Sequence, residues 1–147
     1  MAKQYRITPT IRILNSLIKL LIRFGIAPKN TYLLTVQGRK SGKFYSTPVT
    51  LVEEGSDRWL VSPYGEVNWV RNARVARQVR LSRGGRSETV DIIELNPEES
   101  APVLKKYLTQ VRIVQPYFDV RPESPMEAFI AEAPRHPVFR IQRKPNR

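Results

Sequence analysis

Two β-prone runs facing each other across a glycine-bracketed basic turn constrain this chain more than any other feature. Leu33, Leu34 and Val36 lie on one side, Phe44, Tyr45, Thr47, Val49, Thr50, Leu51 and Val52 on the other, and Gly38-Arg39-Lys40-Ser41-Gly42-Lys43 between them. Such runs joined by a short glycine-containing span form a hairpin, and Gly38 and Gly42 are where positive φ carries no steric cost. The turn points backbone N–H groups outward. Arg39, Lys40 and Lys43, with the Ser41 hydroxyl, add donors suited to a phosphate or carboxylate. The same hexapeptide also reads as a solvated basic turn. It is not a P-loop, because no second glycine precedes a Lys-Ser or Lys-Thr pair at the required spacing.

The remaining chain extends the hairpin into a sheet. After the turn Glu54-Gly55-Ser56-Asp57, the run Arg58-Trp59-Leu60-Val61-Ser62 is a third strand, so the first three strands form an antiparallel meander. A loop through Tyr64-Gly65 enters a short helix at Asn68 that ends near Val75. Val79 and Leu81, then Thr89 to Leu95, are two strands about a Gly84-Gly85 turn. Pro97-Glu98-Glu99-Ser100 starts a helix running to about Val111, with acids in its first turn. Pro116, Pro122, Pro125 and Pro134 break up the stretch that follows, leaving Met126 to Ala131 as a short helix. His136-Pro137-Val138-Phe139-Arg140-Ile141 is the final strand, with Pro137 at its start or on an edge. Six strands with two or three helices predict a small, mainly β antiparallel barrel carrying helices outside. At 147 residues the chain holds one domain with a real core. We read 1–147 as that domain, with 1–27 a basic amphipathic N-terminal helix and 31–142 the barrel.

Charge is unevenly spread. Lys plus Arg number 25 and Asp plus Glu 13, a formal charge of +12, which favours anionic partners. The first acid is Glu53, so the first 52 residues carry nine basic side chains and no opposing one. Within them Thr8-Pro9 is an N-cap and first helical residue, after which Ile11, Leu14, Leu17, Ile18, Leu21 and Ile22 recur at helical spacing until Gly25 and Pro28. Arg12, Lys19 and Arg23 make it too polar and too short to span a bilayer, and no small-residue cleavage site follows its apolar run. Two readings stand: the apolar face packs on the barrel, or residues 9–24 lie in an anionic membrane surface. With no cysteine, thiolate chemistry and disulfides are excluded, in keeping with a cytoplasmic setting. The single histidine, His136, beside a proline at a strand start, reads as an ordinary structural residue. Arg71, Arg74, Arg77, Arg80, Arg83 and Arg86 recur every third residue across helix, strand and turn, so they form no continuous stripe. Most are solvated surface, with Arg74 or Arg77 candidates for an acidic ligand.

The block Leu33-Leu34-Thr35-Val36-Gln37-Gly38-Arg39-Lys40-Ser41-Gly42, the following Thr47-Pro48, and Trp69-Val70-Arg71-Asn72 together resemble the deazaflavin-dependent nitroreductase and quinone reductase family. The resemblance extends from Tyr32 to Leu95. It implies a split β-barrel, the 8-hydroxy-5-deazaflavin coenzyme F-420 rather than flavin mononucleotide, and hydride transfer from C5 of the reduced coenzyme to an electron-poor acceptor. By the same resemblance Arg39, Lys40 and Ser41 hold the coenzyme's phosphate, Thr47 and Pro48 lie along its ring and linker, and Tyr45 is a further cofactor-binding candidate. Ser62, Tyr64 and Gly65 stand near the ring, and Trp69 and Asn72 match the family's helix. The chain departs from many members at Tyr45, where they carry arginine, and at Thr47, where they carry asparagine. Its first 30 residues are similar to the branch with a basic amphipathic N-terminus, which implies a quinone or unsaturated lipid as acceptor, or else a nitro compound. It also implies a place at the inner face of the cell membrane.

In such a reaction the cofactor carries the chemistry, so no catalytic dyad is needed and none is assigned; no metal site is read. Tyr64, Tyr107 and Tyr117 are candidate donors to an acceptor oxygen, and Tyr64, Tyr117 and Phe118 candidate walls of an apolar acceptor pocket. The alternatives are a nucleic-acid-binding barrel, which would need outward aromatics alternating with basic residues on one sheet face, and a non-catalytic deazaflavin or flavin carrier. Monomer and homodimer both remain open.

Overall fold

The computed structural model describes residues 2–4, 6, 8–26 and 29–142. Six strands, β1 (Thr31–Gln37), β2 (Phe44–Glu54), β3 (Asp57–Val61), β4 (Gln78–Arg83), β5 (Arg86–Glu94) and β6 (Val138–Gln142), close into an antiparallel barrel of order β1-β2-β3-β6-β5-β4. Helices α1 (Pro9–Arg23), α2 (Asn68–Ala76), α3 (Pro97–Gln110) and α4 (Met126–Glu132) surround it, with 3-10 helices at Arg112–Tyr117 and Ala133–Arg135. The four α-helices fall where the sequence places them, and the 3-10 helices among the described residues are a surplus. The surplus lies in the proline-rich stretch, where a 3-10 turn needs only i→i+3 bonds and so tolerates Pro116 within it.

Alternation along the strands divides the apolar residues between two cores. Leu34, Val36, Val49, Leu51, Leu60, Val79, Leu81, Val90, Ile92, Phe139 and Ile141 fill the barrel, and Val70 and Ala73 of α2 join them. Val52, Val61 and Val138 belong instead to a second core with α3, α4 and the 3-10 segment, including Leu104, Tyr107, Leu108, Phe118 and Phe129. A capping box starts α3, in which Asn96 Oδ1 accepts from Glu99 N at 2.8 Å while the Glu99 carboxylate accepts from Asn96 N.

Helix α1 begins as its sequence indicates, with the Thr8 hydroxyl accepting from Ile11 N. It contacts β1, β2 and β4 and buries Ile22 completely. Its end is stitched to the β4–β5 turn by Gly84 N donating to Ile22 O at 3.0 Å. Gly25 and Gly84 meet so closely that a Cβ on either would lie 3.2–3.3 Å from the other's Cα, and both have positive φ. Pro28, expected to stop the helix, lies outside the described residues. No helix among the described residues is long and apolar enough to cross a membrane.

Candidate functional site

The Gly38–Lys43 turn is closed from within. Gly38 N donates to Lys43 O at 2.7 Å, Gly42 N to Gly38 O at 3.0 Å, and Lys43 N to Ser41 Oγ at 3.2 Å. The Ser41 and Tyr45 hydroxyls are 3.1 Å apart. Gly42 takes the expected positive φ, but Gly38 does not. Gly38 is required for space instead: a Cβ there would stand 2.7 Å from the Tyr45 ring. Tyr45, where many family members carry arginine, therefore covers the turn with its ring.

Asn72, buried on α2, fastens the turn to the barrel. Its Oδ1 accepts from Arg39 N at 3.1 Å and from Arg39 Nη1 at 2.7 Å. Within the turn, the amides of Lys40 and Ser41 are the ones that no described group accepts from, and they sit beside the exposed Lys40, Ser41 and Lys43 side chains. Two open amides flanked by ammonium groups form a cradle that suits the acidic tail of the expected coenzyme. The donor set fits that group.

Thr47 shares the inward face of β2 with Tyr45, paired to Leu34, whereas Pro48 faces outward opposite Leu33. The two residues therefore do not lie on one wall. Trp69, one turn before Asn72 on α2, is half-buried against the barrel core, its ring centroid 6.0 Å from that of Phe139. Ser62 is fully buried, and its hydroxyl donates to Gly65 O at 2.6 Å. It shapes the loop. That loop brings Tyr64 edge-on to Tyr117, with centroids 4.8 Å apart. The N-terminal segment reaches the same place, where Lys3 N donates to Pro116 O at 2.8 Å.

Other sequence candidates lie elsewhere. Phe118 is buried in the second core and stacks on His136 at 3.7 Å and 10°, so it is no pocket wall. Tyr107 is buried there too; burial, and then the neighbouring Tyr64, pushes its pKa far above the ordinary tyrosine value. Arg74 binds Glu94 through Nε and Nη2, both at 2.8 Å, and Glu66 through Nη1 at 3.0 Å. These carboxylates raise its pKa, and its guanidinium is engaged within the protein rather than held ready for a ligand. Arg77 caps α2 with φ +58. A cleft of about 430 Å³ lined by Val52, Trp59, Leu95, Pro102 and Lys106 lies between α3 and the outer barrel wall, away from the turn.

The sequence reading overlooked Glu132, which is buried with its Oε2 3.0 Å from His136 Nε2. Their i, i+4 spacing was visible, but Pro134 and Pro137 obscured it. Burial lowers the His136 pKa, against the opposing pull of Glu132 and the Pro63 carbonyl.

A model of the family described as F420H(2)-dependent quinone reductase matches residues 20–124. Among solved structures, a protein described as a domain-swapped dimer is similar at TM-score 0.56 and 20% identity, covering 92% of this chain and 100% of that one. A structure described as F420-H2 dependent reductase (FDR-A) matches at TM-score 0.52 and 23% identity, with 78% and 95% covered. A pyridoxamine 5'-phosphate oxidase-related, FMN binding protein from Nostoc punctiforme PCC 73102 matches at TM-score 0.52 and 8% identity, with 94% and 82% covered. At these identities the likeness is one of fold. None of the curated proteins matches the chain.

Proposed function

The chain belongs to the F420H(2)-dependent quinone reductase family, and from that premise we propose that it passes a hydride to an apolar, electron-poor acceptor of quinone type met at a lipid surface. Membership makes it a reductase served by coenzyme F420. When bound, the reduced coenzyme supplies the hydride from C5 of its deazaflavin. The chain's own residues bind, orient and exclude water.

The observation that carries this reading is the turn held by Asn72 through both donors of Arg39, with the Lys40 and Ser41 amides left open beside two lysines. Arg39 braces the cradle, while Lys40, Ser41 and Lys43 take the anionic tail. Thr47 and Trp69 would line the barrel side of the coenzyme site, and Tyr64 and Tyr117, in contact with each other, would offer phenol donors to an acceptor oxygen. Nitro compounds and unsaturated lipids share the acceptor's chemistry and remain within the same class.

What supports a lipid surface is a second apolar strip on α1. Ile13 is 72% exposed, Leu17 52% and Phe24 68%, with Leu14, Leu20 and Ile26 exposed beside them. Arg12, Lys19 and Arg23 flank this strip. An apolar strip edged by cations suits the interface of an anionic bilayer. The protein would then act at the inner face of the cell membrane.

The cradle is tested with Lys40→Ala, which should weaken coenzyme binding by about 1.5–3 kcal/mol in a fluorescence titration, the scale of a charge-assisted hydrogen bond. Unchanged affinity would remove the turn from the site.

A further inference from the structure

We infer that His136, acting through the carbonyl of Pro63, is a positioning residue that sets where Tyr64 stands against Tyr117 and so shapes the acceptor side of the site. The inference rests on the reading of Tyr64 and Tyr117 as acceptor contacts. His136 is buried, and its Nδ1 lies 2.9 Å from Pro63 O. A backbone carbonyl only accepts, so Nδ1 carries the proton and the tautomer follows from the geometry. On the opposite edge, Nε2 meets Glu132 Oε2 at 3.0 Å, and one proton lies between them.

Glu132 is itself held. Its Oε2 also accepts from Asp119 N at 2.9 Å, and its Oε1 pairs with the Arg135 guanidinium. Phe118 covers one face of the imidazole at 3.7 Å. The ring is thus gripped on two edges and one face. Buried and fully partnered, it has no freedom to turn.

Both acceptor-side tyrosines hang from this one ring. Pro63 O and Tyr64 N belong to a single planar peptide unit, so fixing the carbonyl direction fixes where Tyr64 leaves the loop. Tyr117 is the chain neighbour of Phe118, which stacks on the ring, and Asp119 beyond it binds Glu132. Ser62 secures the loop's flanks by donating from its amide to Pro137 O at 2.9 Å and from its hydroxyl to Gly65 O at 2.6 Å. Those two bonds hold residues 62 and 65, and the His136 contact holds the Pro63–Tyr64 peptide between them.

Two substitutions separate the two edges of the ring. In His136→Asn the side-chain amide takes the place of Nδ1 and keeps a donor toward Pro63 O, while His136→Gln reaches toward Glu132 and abandons the carbonyl. The full chain labelled with 3-fluorotyrosine reports Tyr64 directly by fluorine NMR. The chain holds six tyrosines, and Tyr64→Phe identifies the signal. The Tyr64 resonance should be dispersed in the wild type, stay there in His136→Asn, and move toward the free-tyrosine position in His136→Gln. With menadione as acceptor, His136→Gln should raise KM roughly tenfold, the weight of one lost hydrogen bond, at unchanged coenzyme affinity. A Tyr64 signal that shifts equally in both variants, or in neither, overturns the inference. So does a loss of coenzyme affinity in His136→Gln that matches the change in KM. The single imidazole also allows a direct check in the wild type: an unprotonated Nδ1 in a nitrogen-15 spectrum overturns the assignment. If the wild type fails to reduce menadione, the acceptor reading falls, and the fluorine and nitrogen spectra still decide the role of His136.

Discussion

Asn72 ties the turn to the barrel with one oxygen, accepting from the Arg39 amide at 3.1 Å and from its guanidinium at 2.7 Å. Removing a buried acceptor leaves its donors unsatisfied, which costs more than the bond itself contributed. Asn72→Ala should therefore lose about 1–3 kcal/mol in urea denaturation, and coenzyme affinity should fall with it because the cradle loses its brace. A variant of wild-type stability and affinity would show that the turn holds its shape alone. Both Asn72 and the turn were legible as site candidates from the sequence. Their contact was not, because it joins positions 33 residues apart and depends on α2 docking at the barrel. The same limit applies to Tyr64 and Tyr117, whose contact exists only once the loop and the 3-10 segment meet, and to Gly38, whose requirement for space depends on where Tyr45 settles.

Helix α1 was the element whose periodicity was easiest to see and whose partner was hardest to infer. Its apolar arc is wider than the barrel covers, so packing and exposure are not alternatives: Ile22 is buried while Ile13, Leu17 and Phe24 stay in solvent. A periodicity of 3.6 shows that a face is apolar but not what lies against it. The two strips predict opposite phenotypes. Leu17→Asp with Phe24→Asp should leave stability within about 0.5 kcal/mol per site, as exposed substitutions do, yet abolish co-sedimentation with anionic vesicles. Ile22→Ala should cost about 2–5 kcal/mol and keep vesicle binding wherever it remains folded. Sedimentation of the double variant equal to that of the wild type would refute the lipid-facing role of the strip. The strands were read nearly to their ends, since alternation and glycine turns are local signals. The 3-10 helices were missed because prolines conceal short elements that packing stabilises.

Over the whole molecule, the proposed lipid-facing role would draw on the formal charge of +12 as well as on the apolar strip. Screening shortens the reach of such a charge from about 10 Å at 0.1 M salt to about 3 Å at 1 M. Binding to anionic vesicles should accordingly weaken steeply between these salt concentrations, while binding to neutral vesicles stays low throughout. Association that is indifferent to salt would assign the contact to apolar insertion alone. The amino-acid order by itself determined the strands, the cationic turn between its glycines, the uneven charge and the lack of thiol chemistry, because these depend on neighbours close in the chain. The order of strands around the expected barrel, the split into two cores, the Asn72 tie, the hold of His136 on Pro63 and the division of α1 into buried and open strips were decided only by tertiary structure. Each of these arises from contacts between segments far apart in sequence, whose geometry exists only after the strands have paired and the helices have docked.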